Sequence, residues 1–140
     1  MATNARIRIL SLNTGRTDNL GGVFQLVKSR IHIFLLQEVV MSQEQLENIV
    51  QARGFRAVVS RGEGMLGVGV LIHESLPDAW VENLHPGRLQ ACWVGGFKIL
   101  NVYGPAGTNL AHQRRTFLTT SVLAACRDSQ MGFQLCGWTA

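Results

Sequence analysis

Ile31-His32-Ile33-Phe34-Leu35-Leu36, followed at once by Gln37-Glu38, is the stretch on which the fold turns. It lacks the alternation of a strand with one wet face, so it reads as a central strand covered on both sides. Upstream, Arg6 to Leu12 alternates basic or polar with apolar residues, the period of a half-buried strand. Between them Asp18 can cap a helix with Leu20, Val23, Phe24 and Val27 on one face, its first turn weakened by Gly21 and Gly22. Strand, helix, strand predicts a right-handed crossover with the two strands parallel.

Downstream, Ser42 and Gln45 have the spacing of a capping box. They open a helix whose buried stripe is Leu46, Ile49 and Val50, and Gly54 stands where its end wants a left-handed residue. The period then changes to two. Phe55–Val59, Val68–Ile72, Leu89–Val94 and Phe97–Tyr103 read as strands, the last two joined tightly by Gly95-Gly96. A helix from Thr108 or Asn109 to about Arg127 turns Phe117, Leu118, Val122 and Ala125 inward, and Gly132–Cys136 is one further strand. The order predicts a mixed α/β fold rather than an all-parallel wind.

Composition sets the outer bounds. The chain has 140 residues, 46% hydrophobic and 16% charged, with 15 Gly, which is the make-up of one globular domain over residues 1–140. Disorder, collagen and a disulfide scaffold are excluded. No apolar run approaches the ~20 residues of a membrane helix, so no membrane partner is expected. The polar start, Met1 to Arg6, predicts no signal peptide and an intracellular protein, nuclear or cytoplasmic, not secreted. Cys92, Cys126 and Cys136 are odd in number and never two apart, which fits a reduced chain without a zinc knuckle. The net charge of +4 suits a phosphate polymer without proving one.

One motif is discarded on its context. Gly62-Glu63-Gly64-Met65-Leu66-Gly67 matches G-x-G-x-x-G, but Val68, Val70 and Ile72 follow in strand alternation where a dinucleotide site needs a helix N-terminus. It reads as a loop between strands, and no nucleotide cofactor is expected.

A second set is more coherent. Asn13 ends the first strand and Glu38 the central one, so parallel pairing brings an amide and a carboxylate to one rim. Both are hard oxygen ligands suited to Mg²⁺. Asn101 and Tyr103 share one face of their strand, with Leu100 and Val102 on the other, and Gly104-Pro105 follows. Each has a plain alternative: Glu38 merely solvated, Asn13 a turn residue before Thr14-Gly15, Tyr103 a core aromatic. The four His (His32, His73, His85, His112) share no ligand spacing, and His32 reads as a core histidine. Arg16, Arg61, Arg88, Arg114 and Arg115 can contact phosphate, with solvated charge as the default for each.

Taken in order, Ser11-Leu12-Asn13, Leu35-Leu36-Gln37-Glu38, Gly67-Val68-Gly69-Val70-Leu71-Ile72 and Asn101-Val102-Tyr103-Gly104-Pro105 resemble the endonuclease/exonuclease/phosphatase superfamily. Within it the chain is most similar to the apurinic-endonuclease-type domain of non-LTR (LINE-like) retrotransposons. The resemblance implies a four-layer α/β sandwich, of which this chain would be the N-terminal part. It also implies Mg²⁺-dependent phosphate ester cleavage (Mn²⁺ as a substitute) with DNA as substrate. Asn13 would sit beside metal and phosphate, Glu38 would be the metal carboxylate, Tyr103 would contact phosphate, and Asn101 would order the same rim.

The chain departs from the family at its Gly-Asp-Phe/Trp-Asn motif. Leu135-Cys136-Gly137-Trp138-Thr139-Ala140 has either Gly137 in the Asp position or the Asp deleted before Trp138. The later Ser-Asp-His segment is absent from these 140 residues. A general base is commonly worth about 10²–10⁴-fold, so the expectation is a chain that is not a competent nuclease alone. An incomplete domain would also leave an apolar face uncovered, so marginal stability and self-association are expected.

Overall fold

In the computed structural model the central strand is covered on both faces, by a helix on one side and a second sheet on the other. It describes residues 6–16, 30–62, 66–104, 111–117, 120 and 134–139. The helix expected after Asp18 lies outside the described residues. The described elements run β1 (Ile9–Asn13), β2 (Ile33–Val39), α1 (Gln43–Gln51), β3 (Phe55–Arg61), β4 (Gly67–His73), β5 (Trp80–His85), β6 (Leu89–Val94), β7 (Phe97–Tyr103), α2 (Ala111–Phe117) and β8 (Gln134–Thr139).

They form two four-stranded sheets, β1-β2-β4-β3 and β5-β6-β7-β8. β1 pairs parallel with β2, as the sequence predicts, and β4 pairs antiparallel with both β2 and β3. In the second sheet β5, β6 and β7 are antiparallel and β8 adds parallel to β7.

Alternation along β2 feeds two cores. Phe34 and Leu36 pack outward with Leu46 and Val50 of α1 and with Ala57 and Leu71. Ile33 and Leu35 pack inward against Val70, Ile72, Cys92, Val94 and Ile99, the layer between the sheets. Beyond the second sheet, Phe117 of α2 covers Leu89, Ala91, Leu100 and Val102. The layers are therefore helix, sheet, sheet, helix. Burying a leucine of the Leu46 kind contributes roughly 1.5–3 kcal/mol.

Local signals are realised as the sequence predicts. Ser42 caps α1 with a capping box completed by Gln45. Gly95 and Gly96 carry φ of 55° and 85°, the paired positive values of a two-residue hairpin turn. Of the helix expected from Thr108 or Asn109 to Arg127, Ala111–Phe117 is described, and the last strand is Gln134–Thr139 rather than Gly132–Cys136. Strand β5 is not among the sequence expectations: its Glu82, Asn83, Leu84 and His85 are exposed, so no apolar period marks it. The outer edge of β3 is closed by a side chain. Gln43 of α1 donates to the Ala57 carbonyl (2.6 Å) and accepts from the Val59 N–H (2.7 Å), occupying edge groups that would otherwise template another strand.

Candidate active site

The rim where β1, β2 and β7 end begins with a break in the pairing of β2. Phe34 and Leu36 point into the helix-covered core, so unbroken alternation would send Glu38 there too. Instead the register slips between Gln37 and Val39, and Val39 takes the core position. Glu38 is the extra residue, with φ of +56°. A left-handed glutamate costs roughly 1–2 kcal/mol, a strain that the surrounding bonds must hold. The bulge turns the carboxylate out of the core toward the end of β1.

Those bonds come from β1 and the turn after it. Asn13 Nδ2 donates to Glu38 Oε2 at 2.6 Å, while Asn13 Oδ1 accepts the Gly15 N–H at 2.8 Å. The buried Thr14 hydroxyl lies 2.8 Å from the Glu38 carbonyl oxygen and 3.0 Å from that of Gln37, whose oxygen also accepts the Thr14 N–H at 2.9 Å. Gly15 and Arg16 follow with φ of 62° and 66°. Two left-handed residues in succession curl the chain back, so Arg16 Nε stands 3.7 Å from Glu38 Oε1.

Tyr103 closes the third side. Its N–H donates to the Arg88 carbonyl at 2.8 Å, and the Arg88 guanidinium lies over its ring, 5.0 Å from the centroid. Arg88 Nη1 donates to the Gly104 carbonyl at 3.1 Å, which fixes its head. The Tyr103 hydroxyl holds its proton more tightly than usual, first because it is buried and then because of the negative charge of Glu38. The positive charges of Arg88 and Arg16 oppose that. Asn13, Glu38, Arg16, Arg88 and Tyr103 thus meet at one rim.

Asn101 shares the inner face of β7 with Tyr103, as expected, but it does not reach solvent. It is 0% exposed, between the sheets. Its Nδ2 lies 3.1 Å from the Leu36 carbonyl, 3.0 Å from that of Gly69 and 3.1 Å from Gln90 Oε1, and its Oδ1 accepts from Gln37 Nε2 at 2.9 Å. Gln37 reaches on to Ser11 Oγ at 3.1 Å, and Gln90 to Asn83 Oδ1 at 3.0 Å. Asn101 is therefore not a side chain of the rim itself but a buried partner of Gln37, the neighbour of Glu38. Sequence reasoning passed over Gln37 and Gln90. The signal was present: each is an amide on the inward face of an otherwise apolar strand. Of the other arginines, Arg61 ends β3 exposed and Arg115 is exposed on α2.

Among the described residues no three His, Cys, Asp or Glu side chains form a cluster. A dedicated all-protein cage is therefore not the match for this donor set. The Glu38 carboxylate fits Mg²⁺, which keeps several waters and takes one or two carboxylates plus substrate phosphate. Asn13, expected as a second ligand, turns its Nδ2 to Glu38 and its Oδ1 to the Gly15 N–H and so orients the carboxylate instead. β8 runs alongside β7 with Gly137 the partner of Asn101 and Thr139 the partner of Tyr103. No carboxylate stands at either position.

No family model matches the sequence. No curated protein matches it either. Solved structures do. The 3′-5′ exonuclease NExo from Neisseria meningitidis superposes with a TM-score of 0.67 at 20% identity, over 94% of this chain and 56% of its own. The chain has the endonuclease/exonuclease/phosphatase fold. An AP endonuclease from Archaeoglobus fulgidus shares it at a TM-score of 0.52 and 23% identity, over 71% of this chain and 40% of that one. D. rerio TDP2, complexed with single-strand DNA product, matches at 0.61 and 14% identity, over 88% and 55%. The four-layer sandwich is the fold that the motif order implies, and this chain spans about half the length of these neighbours.

Proposed function

We propose that this rim is a Mg²⁺-dependent phosphodiester-hydrolysing site of the retroelement-endonuclease kind, with DNA as substrate and Mn²⁺ able to replace Mg²⁺. We also propose that these 140 residues alone do not turn over. The observation that carries the site reading is the 2.6 Å bond between Asn13 and a Glu38 held at left-handed φ. A strained acidic residue wired to its neighbours is a device for aiming charge. The retroelement assignment rests on the order of the four sequence motifs. DNA as substrate also has support in kind from neighbours solved with DNA product.

In this reading Glu38 holds the ion and Asn13 keeps the carboxylate oriented. The ion's chemistry there is neutralisation of charge on the phosphoryl and leaving oxygens. Tyr103 donates its hydroxyl to a phosphate oxygen; a phenol is protonated at neutral pH in any case, and burial here shifts it further that way. Arg88 fixes the Tyr103 ring. What is lacking is a carboxylate on β8 to orient or activate the water, since Gly137 and Thr139 stand there. Loss of that help is commonly worth about 10²–10⁴-fold.

The test uses the purified chain, Mg²⁺ and end-labelled duplex DNA with and without an abasic site. The expected result is salt-sensitive DNA binding without nicking above the Mg²⁺-only control. Nicking by the wild type that Glu38→Ala abolishes would refute the inactivity while supporting the site. A reverse-transcriptase-like reading frame downstream in the genomic DNA would support the retroelement assignment.

Gly137 favours a second reading, a non-catalytic nucleic-acid-binding remnant that kept the scaffold. Binding indifferent to Glu38→Ala and to metal would favour it. Turnover of a small phosphate ester, but not of DNA, would point to a phosphatase or phosphodiesterase of the same fold.

A further inference from the structure

We propose that Arg16 is a resident counter-ion of Glu38 that a divalent cation displaces, and that its guanidinium, once released, becomes a phosphate contact beside Tyr103 and Arg88. The proposal rests on the reading of Glu38 as the metal carboxylate and adds a role for a residue outside the resemblance.

Three observations carry it. First, the turn that delivers Arg16 is built rather than incidental: Asn13 Oδ1 pins Gly15, and both Gly15 and Arg16 take left-handed φ (62° and 66°) to bring the guanidinium over the Glu38 carboxylate at 3.7 Å. Second, the two members of the pair are unequally held. The Arg16 side chain is 69% exposed and that of Glu38 22%, so the acid is fixed while the base can leave at little cost. Glu38 Oε2 is bonded by Asn13, which leaves Oε1 as the oxygen that an entering cation and Arg16 must contest. Third, an anion has somewhere to go. Arg88 is pinned over the Tyr103 ring by the Gly104 carbonyl, and both Arg16 and Arg88 act electrostatically on the Tyr103 hydroxyl. One guanidinium stacked on the Tyr103 ring and a second at the neighbouring Glu38 give this rim the positive charge that a phosphate accepts bonds from.

The exchange has a directional consequence. A monovalent guanidinium a few ångströms from the ion's place repels it, so removing Arg16 tightens metal binding. Without metal Arg16 is tied to Glu38 and adds little to DNA affinity; with metal it adds a phosphate contact. Glu38→Gln releases it in the same way without metal.

The experiment is a Mn²⁺ titration followed by EPR on the full 140-residue chain, with wild type, Arg16→Gln, Arg16→Lys and Glu38→Gln. Thermal melts verify that each variant remains folded. Arg16→Gln is expected to tighten Mn²⁺ binding about threefold to tenfold at low salt, less at higher salt, with Arg16→Lys near wild type. In a duplex-binding assay, Arg16→Gln weakens affinity in the presence of Mn²⁺, or in the Glu38→Gln background, and leaves metal-free wild-type affinity nearly unchanged. Mn²⁺ affinity unchanged or weaker in Arg16→Gln, with Glu38→Gln still abolishing the site, overturns the exchange alone. Mn²⁺ binding that survives Glu38→Gln overturns the metal reading and the exchange with it.

Discussion

Replacing Asn101 by leucine tests whether the amide between the sheets holds them in register. Leucine has the same branched heavy-atom skeleton with somewhat bulkier methyl ends, so the change removes bonds without opening a cavity. Four groups lose a partner: the Leu36 and Gly69 carbonyls, Gln90 Oε1 and Gln37 Nε2. Gln37 keeps Ser11 Oγ and the Leu35 carbonyl, and the two carbonyls belong to strands paired on both sides, so their share is the smaller. Gln90 keeps two acceptors for its Nε2, but its Oε1 is left facing a methyl group. At about 1–3 kcal/mol for a stranded buried polar group, partly offset by these remaining bonds, the loss comes to about 2–4 kcal/mol. For a chain of this length that is a fall in Tm of roughly 6–12 °C. Urea unfolding followed by tryptophan fluorescence reads it, since Trp80 and Trp93 stack in the same sheet at 5.5 Å between centroids. Ser11→Ala, at the exposed end of the network, should cost under about 1 kcal/mol. A loss below about 1 kcal/mol for Asn101→Leu, with an unchanged m-value, would show that the two sheets are held by apolar packing alone.

His32 Nδ1 accepts the Arg8 N–H at 2.9 Å, and burial, then His73 and Arg8, hold its pKa below 6.5. The unfolded chain therefore takes up the proton first, so this contribution to stability is full above pH 6.5 and declines as the pH falls toward the folded value. Urea melts from pH 8 to 5 should show that decline, and His32→Gln should flatten it; an unaltered slope would place the titration elsewhere. Cys92 is buried and its thiol is pushed up to about 11 by desolvation, so it should resist alkylation at pH 8 until urea is added, as mapped by mass spectrometry. Labelling of Cys92 in the native protein would show that the inter-sheet layer opens. Ser42→Ala removes the capping box of α1 and should cost about 1 kcal/mol by urea melts, with no change in Mn²⁺ affinity, because the cap is outside the rim.

The sheet edge at β5 and the aim of Glu38 mark how far local patterning reaches. Where an apolar run marks a strand buried on both faces, as in β2 and β4, or where a cap is covalently close to its helix, as with Ser42 and Gln45, the amino-acid order states the structure outright. Parallel pairing of β1 with β2 followed from the helix-length spacer between them, and with it the meeting of Asn13 and Glu38. Strand β5 was illegible because an edge strand facing solvent has no burial period to display.

By itself, then, the sequence determined the helix or strand type of most elements and the rim residues that end β1 and β2, because periods and caps depend on neighbours within a few positions; β5 and the bounds of β8 were not among them. Only the tertiary structure decided that Val39 rather than Glu38 enters the core, that Asn101 is buried between the sheets against Gln37, and that Arg16 returns to the acid. A bulge, an inter-sheet amide network and an ion pair across two strands are settled by which chain segments compete for the same space, and no local pattern records that competition.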